Sequence, residues 1–207
     1  MNKFFLLGPS KGRFTDDFSW CGTYLSVGTC STCQINETKL KPPILFEWDE
    51  EFGRPRESIA AANDCFWGDF QMLVTPHAAE ILQSIGFPVS YNAAKEVHSR
   101  WVGEEVIVSD NPDATNNLLW IRPQISIPAD PALSKNTVCS SCGFFTDSGR
   151  VRQLTRLVVD GSLREATDVF SIRQNHGEQL FVNERTRRLL EDNGLRNVGF
   201  YPAGRFI

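Results

Sequence analysis

The chain has 207 residues, 41% of them apolar and 22% charged, with fifteen Phe and five Trp. That is ample for one domain with a core of its own, so the fold need not hang on a metal as a minimal zinc finger does. A net charge of −4 and a pI near 5.4 argue against a phosphate-neutralising nucleic-acid binder, and no window approaches the ~20 apolar residues of a membrane helix.

The first element is a short strand, Phe4–Leu7. Its apolar run is shorter than a signal peptide requires and no small-residue cleavage site follows, so the expected compartment is the cytoplasm, where thiols stay reduced. A polar stretch leads to the turn-rich Gly28-Thr-Cys-Ser-Thr-Cys33. Residues 36–65 read as a connector, with Lys41-Pro-Pro43, Ile44–Trp48 and Gly53-Arg-Pro55 inside it. Four acids, Glu47, Asp49, Glu50 and Glu51, flank Trp48 there, which is a solvated loop or the seat of a basic partner.

Phe70–Val74 reads as a strand. Thr75 then suits a helix N-cap and Pro76 the first helical position. Ala78, Ile81, Leu82 and Ile85 fall on one helical face, and Gly86 stands where a C-terminal glycine cap belongs. Glu105–Ser109 and Leu118–Ile127 are strand-like, and Leu154–Asp160 ends in Asp160-Gly161, which reads as a hairpin turn. Near the C-terminus the strand–helix phrase returns: Gln179–Val182, an Asn183 N-cap, a helix over Glu184–Asn193 with Leu189 and Leu190 inward, and Gly194 as the stop. Arg185, Arg187 and Arg188 form its solvated face, and Val198–Tyr201 is a last strand.

The two phrases align at a constant offset of 108 positions, the CxxC pairs at 109, and Asp64-Cys-Phe66 aligns with Asp168-Val-Phe170 at 104. These offsets predict a degenerate internal duplication. The expected architecture is α+β, a mixed or antiparallel sheet with two principal helices. It is one domain over residues 1–207, built of two related halves (about 1–100 and 101–207) that share one metal site.

Six cysteines occur, and four of them fall in Cys30-Ser-Thr-Cys33 and Cys139-Ser-Ser-Cys142. Two residues between cysteines let one tight turn aim both sulfurs at one ion, and Ser and Thr favour such turns. Together Cys30, Cys33, Cys139 and Cys142 fill the four positions of a tetrahedral Zn2+ and leave none for water or substrate, as in a structural site. The competing reading is four reduced surface thiols or two separate redox pairs, although neither pair lies between a strand and a helix start as a thioredoxin-like pair does. Cys21 and Cys65 read as bystanders. His77, His98 and His176 have no partner motif, and no nucleophile, base and orienting group come together, so the chain reads as a non-enzyme. A zinc-ribbon nucleic-acid-binding or regulatory protein is the alternative; Lys39, Lys41, Arg150 and Arg152 flank the pairs but are too few for a basic stripe.

These features together resemble the double-CxxCG family of bacterial proteins, described chiefly in myxobacteria as immunity proteins paired with swarming-inhibition toxins. The resemblance runs over most of the chain. It rests on Gly28-Thr-Cys-Ser-Thr-Cys33, on Val138-Cys-Ser-Ser-Cys-Gly143 and on Phe70–Val74 with its helix. It rests also on Leu180-Phe-Val-Asn-Glu-Arg185 leading to Asn193-Gly-Leu-Arg-Asn-Val-Gly-Phe200. The first pair departs from the pattern, with Gln34 where the second has glycine. The resemblance implies that Cys30, Cys33, Cys139 and Cys142 are the shared cysteines. It implies a cytoplasmic immunity protein whose partner is a cognate protein toxin, a nuclease being one candidate, and it implies no catalytic residue.

Overall fold

The computed structural model describes residues 3–10, 17–21, 24–40, 42–49, 63–68, 71–102, 105–111, 117–127, 139–142, 157–166, 168–172 and 179–207. In chain order these form β1 (Lys3–Gly8), β2 (Phe18–Trp20), β3 (Tyr24–Thr29), β4 (Asn36–Leu40), β5 (Ile44–Trp48), β6 (Cys65–Gly68), β7 (Gln71–Val74), helix α1 (Pro76–Ser84), β8 (Val89–Val102) and β9 (Glu105–Asp110). There follow β10 (Leu119–Pro123), β11 (Ser126–Ile127), β12 (Leu157–Val159), a 3-10 turn over Gly161–Ala166, β13 (Val169–Ile172), β14 (Phe181–Asn183), helix α2 (Glu184–Asp192) and β15 (Gly199–Phe206). The fold is α+β, with two helices and much sheet among the described residues.

Both helices start and stop where the sequence places their caps. Thr75 Oγ1 accepts from the Ala78 amide at 3.1 Å and Asn183 Oδ1 from the Thr186 amide at 2.9 Å. Gly86 and Gly194 end them at φ of 68° and 64°, left-handed backbone that glycine adopts without strain. Helix α1 buries Ala78, Ala79 and Leu82, with Ile85 packed at the margin of the core. Helix α2 buries Thr186 and Leu190, whereas Leu189 is half-buried. Arg187 is not simply solvated: its guanidinium lies 4.8 Å from the centre of the Phe5 ring and pairs with Glu184 and Glu191.

The strands make two large sheets and one small ribbon. One sheet has the order β2-β5-β8-β10-β7-β6 with β9 on β8, the other β11-β13-β14-β1-β15-β12, and β3 pairs with β4 alone among the described strands. A common plan runs through both sheets. β5 is parallel to β8, and the steps from β8 to β10, β7 and β6 are antiparallel. Likewise β12 is parallel to β15, and the steps from β15 to β1, β14 and β13 are antiparallel.

Alternation along each strand sorts side chains into three cores. Phe5 and Leu7 join Cys65, Trp67, Met72, Val74, Ile121, Val182 and both helices in a central cluster shared by the two sheets. Phe4 and Leu6 turn the other way, to Phe170, Phe181 and Phe206. Phe18, Phe46, Trp48, Phe66, Leu73 and Trp120 cover the far face of the first sheet. A strand buried on both faces reads as an unbroken apolar run, which is why Phe4–Leu7 shows no alternation in the sequence.

Several expectations are corrected. Residues 36–65 contain β4, β5 and the first residue of β6, with 50–62 outside the described residues, as is Phe70. The stretch Leu118–Ile127 divides into β10 and β11, which join different sheets. Asp160-Gly161 is no hairpin turn. Asp160 Oδ1 accepts from the Ser162 amide at 2.8 Å and opens the 3-10 turn, while the Gly161 amide donates to Ile207 O at 2.5 Å. The last strand is longer than expected, Gly199–Phe206, and Val89–Val102 is a strand of 14 residues that the sequence reading did not assign.

Candidate metal centre

The first CxxC pair is the loop of the β3–β4 ribbon. Pairing from Tyr24 opposite Leu40 to Thr29 opposite Asn36 brings the two arms together just below residues 30–35. Inside the loop the Cys30 amide donates to Ile35 O at 2.9 Å, and the Gln34 amide donates to Cys30 O at 2.9 Å. Gln34 Nε2 donates to Ser31 O at 2.8 Å. Gln34 has a φ of 59°, so it takes the left-handed conformation for which glycine is the usual residue. Its departure from the glycine pattern therefore preserves the shape of the turn and adds strain. The second pair, Cys139–Cys142, lies between β11 and β12, and Gly143 is outside the described residues.

The two loops bring their sulfurs together. Cys30 Sγ is 3.9 Å from Cys139 Sγ, Cys33 Sγ is 3.7 Å from Cys142 Sγ, and all four sulfurs lie within 4.8 Å of one another. A tetrahedral ion with sulfur arms of about 2.3 Å has S···S edges of about 3.8 Å, whereas a disulfide needs about 2.05 Å. The spacing is that of ligands around one ion, and all six cysteines are free thiols. Cys139 is buried and the other three are half-buried.

Backbone amides prepare two of the sulfurs for the thiolate form. The N–H groups of Cys33 and Thr32 point at Cys30 and draw its thiol down to about 6. Those of Cys142 and Ser141 lower the Cys139 thiol in the same way. Cys33 also takes an N–H, from Ile35, but burial and the adjoining sulfurs of Cys30 and Cys139 outweigh it and push this thiol up. Four thiolates so close together need a counter-charge, which a divalent cation supplies. The donor set, the spacing and the amide donors all fit a thiophilic metal ion held in a closed site.

The remaining candidates are scattered. Cys21 Sγ lies 4.0 Å from both Ser19 O and Glu47 Oε2, and burial pushes its thiol up. Cys65 is fully buried in the central core, and burial pushes its thiol far above the ordinary value. His77 is exposed in the first turn of α1, His98 is exposed on β8, and His176 is outside the described residues. Lys39 belongs to β4, while Lys41, Arg150 and Arg152 are also outside them.

One polar cluster escaped the sequence reading. Glu47 is part of β5 rather than of a solvated loop, and its carboxylate accepts from the Ser99 amide at 2.9 Å and from Ser99 Oγ, with His98 Nδ1 at 3.9 Å. The signal was the alternation of Ile44, Phe46 and Trp48, which places Glu47 on the opposite face.

No helix among the described residues is long and apolar enough to cross a membrane. No protein-family profile matches the chain, and no curated protein matches it.

Proposed function

We propose that this chain is an immunity protein that binds and neutralises a cognate protein toxin in the cytoplasm, its two CxxC loops closed on one structural Zn2+. The observation that carries the reading is the four-sulfur cluster. With every tetrahedral position filled by protein, the ion staples two distant segments and has no place to activate water. The resemblance of both knuckles and of the Asn193–Phe200 phrase supports the immunity role. Burial pushes the Cys21 and Cys65 thiols up, which disfavours the thiolate that a cysteine nucleophile needs. With a net charge of −4, the chain suits a toxin with a basic contact face, as a nuclease has.

The test is co-production with the product of the neighbouring gene. A tight complex and restored growth are expected, and a neighbour that is harmless or does not bind removes the immunity reading. Metal analysis of protein purified without chelator tests the zinc separately: one zinc per chain is expected, and six reactive thiols without metal would remove it.

The same proposal reads the fold as a degenerate duplication, with halves of about 1–100 and 101–207. Matching registers support it: Phe66 lies opposite Leu73 as Phe170 lies opposite Phe181, and Cys65 opposite Val74 as Val169 opposite Val182. The Thr75 amide donates to Asp64 O as the Asn183 amide does to Asp168 O. Gln71 and Gln179, 108 positions apart, are both buried, and Oε1 of each has no hydrogen-bond partner among the described residues.

A further inference from the structure

We infer that each half has given one strand, β1 or β10, to the other's sheet across a pseudo-twofold axis through the cysteine cluster, so that interlocked strands hold the halves together and the metal clasps the β3–β4 ribbon. This rests on the duplication and metal readings above.

In each sheet, four strands of the common plan come from one half: β5, β6, β7 and β8 in the first, β12, β13, β14 and β15 in the second. The central strand comes from the other half. β10, which follows the β8–β9 hairpin at the boundary between the halves, lies between β7 and β8, and β1 opens the first half yet lies between β14 and β15. Their registers coincide position by position. Leu119 and Trp120 face Val74 and Leu73 as Phe5 and Leu6 face Val182 and Phe181. On the other side, Ile121 and Arg122 face Tyr91 and Ser90 as Leu7 and Gly8 face Phe200 and Gly199.

The cysteines mark the axis. A twofold sets equivalent atoms opposite one another. Two of the sulfur contacts, Cys30 with Cys139 and Cys33 with Cys142, each join residues 109 positions apart, which is the offset of the CxxC pairs themselves. A tetrahedral ion has a twofold axis bisecting such a pair of edges, so one ion can lie on the axis and serve both halves alike.

The mechanical consequences differ for strands and ribbon. Separating the halves would draw Phe4, Phe5, Leu6 and Leu7 out of one sheet and Trp120 and Ile121 out of the other, all of them buried. The ribbon has far less to hold it. Leu25 and Val27 are 48% and 52% exposed, and a two-stranded ribbon is marginal alone in water. Among the described residues it is anchored by buried Leu40 at its base and by the cysteines at its tip. Metal loss should therefore free the ribbon and leave the halves interlocked.

A protease site placed in residues 112–116 of the full chain and cut after folding tests the interlock by size-exclusion chromatography with and without chelator. Both pieces should elute together in each case and part only in denaturant; separation on chelation overturns the exchange. If the uncut variant does not fold, a cut at residues 103–104, between β8 and β9, serves the same purpose. Hydrogen exchange on the intact protein tests the clasp. Chelation should speed exchange over Tyr24–Leu40 at least about tenfold while β1 and β10 stay protected. Loss of protection in β1 or β10 along with the ribbon overturns the exchange, and an unchanged ribbon overturns the clasp. Protein that holds no metal would sink the zinc reading and the clasp but not the interlock, which the cut chain decides without metal.

Discussion

Arg196 grips Asp64 across 132 positions of sequence: its amide and Nε both donate to Asp64 Oδ2, at 2.9 and 3.0 Å, and Nη2 donates to Oδ1 at 3.0 Å. Asp64 stands beside the first residue of β6 and Arg196 follows α2, so the pair ties the segment after α2 to the start of β6. The guanidinium holds the Asp64 carboxyl below the usual carboxylate range. Such a carboxylate contributes stability that is present above its unfolded value of about 3.9 and is lost as pH falls through the folded value. Asp64→Asn is expected to cost about 1 kcal/mol at neutral pH, a modest figure because the pair is screened by solvent; the Arg196 side chain is 54% exposed. In urea titrations the gap from wild type should hold down to about pH 4 and close below it. A gap that persists in acid would mean that charge is not what Asp64 contributes.

The next residue, Asn197, gathers four partners. Its Nδ2 donates to Cys65 O at 3.0 Å and to Asp17 Oδ2 at 3.3 Å, its Oδ1 accepts from the Ser10 amide at 3.2 Å, and its carbonyl accepts from Trp67 Nε1 at 2.8 Å. It does so at a φ of 64°, which an alanine adopts only under strain. Asn197→Ala is expected to cost about 2–3 kcal/mol, and Asn197→Gly about 1 kcal/mol less because glycine relieves the backbone. Urea midpoints of the two variants separate the contributions. Equal losses would place the whole effect in the hydrogen bonds.

The parts of this fold legible in the sequence are those fixed by neighbours in the chain. Thr75 with Pro76, Asn183 with Glu184, and Gly86 and Gly194 mark the helices because caps act within one turn. The CxxC spacing is local too. The long strand β8 was not legible: Ala93-Ala94-Lys95-Glu96 favours helix, and only pairing with β5, β9 and β10 makes it a strand. The ribbon was equally hidden, since Leu25-Ser26-Val27 gives a single alternation on an exposed strand. The seat of β1 is set by partners near residues 182 and 201, which no periodicity reveals.

Gln34 offers a substitution expected to improve the molecule. Its positive φ carries roughly 1 kcal/mol of strain, of which glycine's greater freedom in the unfolded chain returns about half. Gln34→Gly should therefore raise apparent metal affinity about twofold in a chelator competition. Gln34→Val should lower it, because a β-branched side chain resists left-handed backbone most. If the glycine variant binds metal more weakly, the contact from Gln34 Nε2 to Ser31 O matters more than the strain.

Cys139 is the buried member of the four, and a serine there cannot supply the thiolate that a closed site needs. Cys139→Ser is expected to lose its metal on purification and to melt about 6–10 °C lower, which for a chain of this size corresponds to about 3 kcal/mol. Cys21→Ser, whose sulfur lies beside Glu47 and away from the cluster, should keep both metal and melting temperature. Because the ion binds the folded state alone, chelator should bring wild type down to the level of Cys139→Ser, and added zinc should restore only wild type. The variant should still fold at room temperature, since its three apolar cores do not include the ribbon tip. Wild-type metal content and melting temperature in Cys139→Ser would remove that cysteine from the ligand set, and with it the closed site on which the structural role depends.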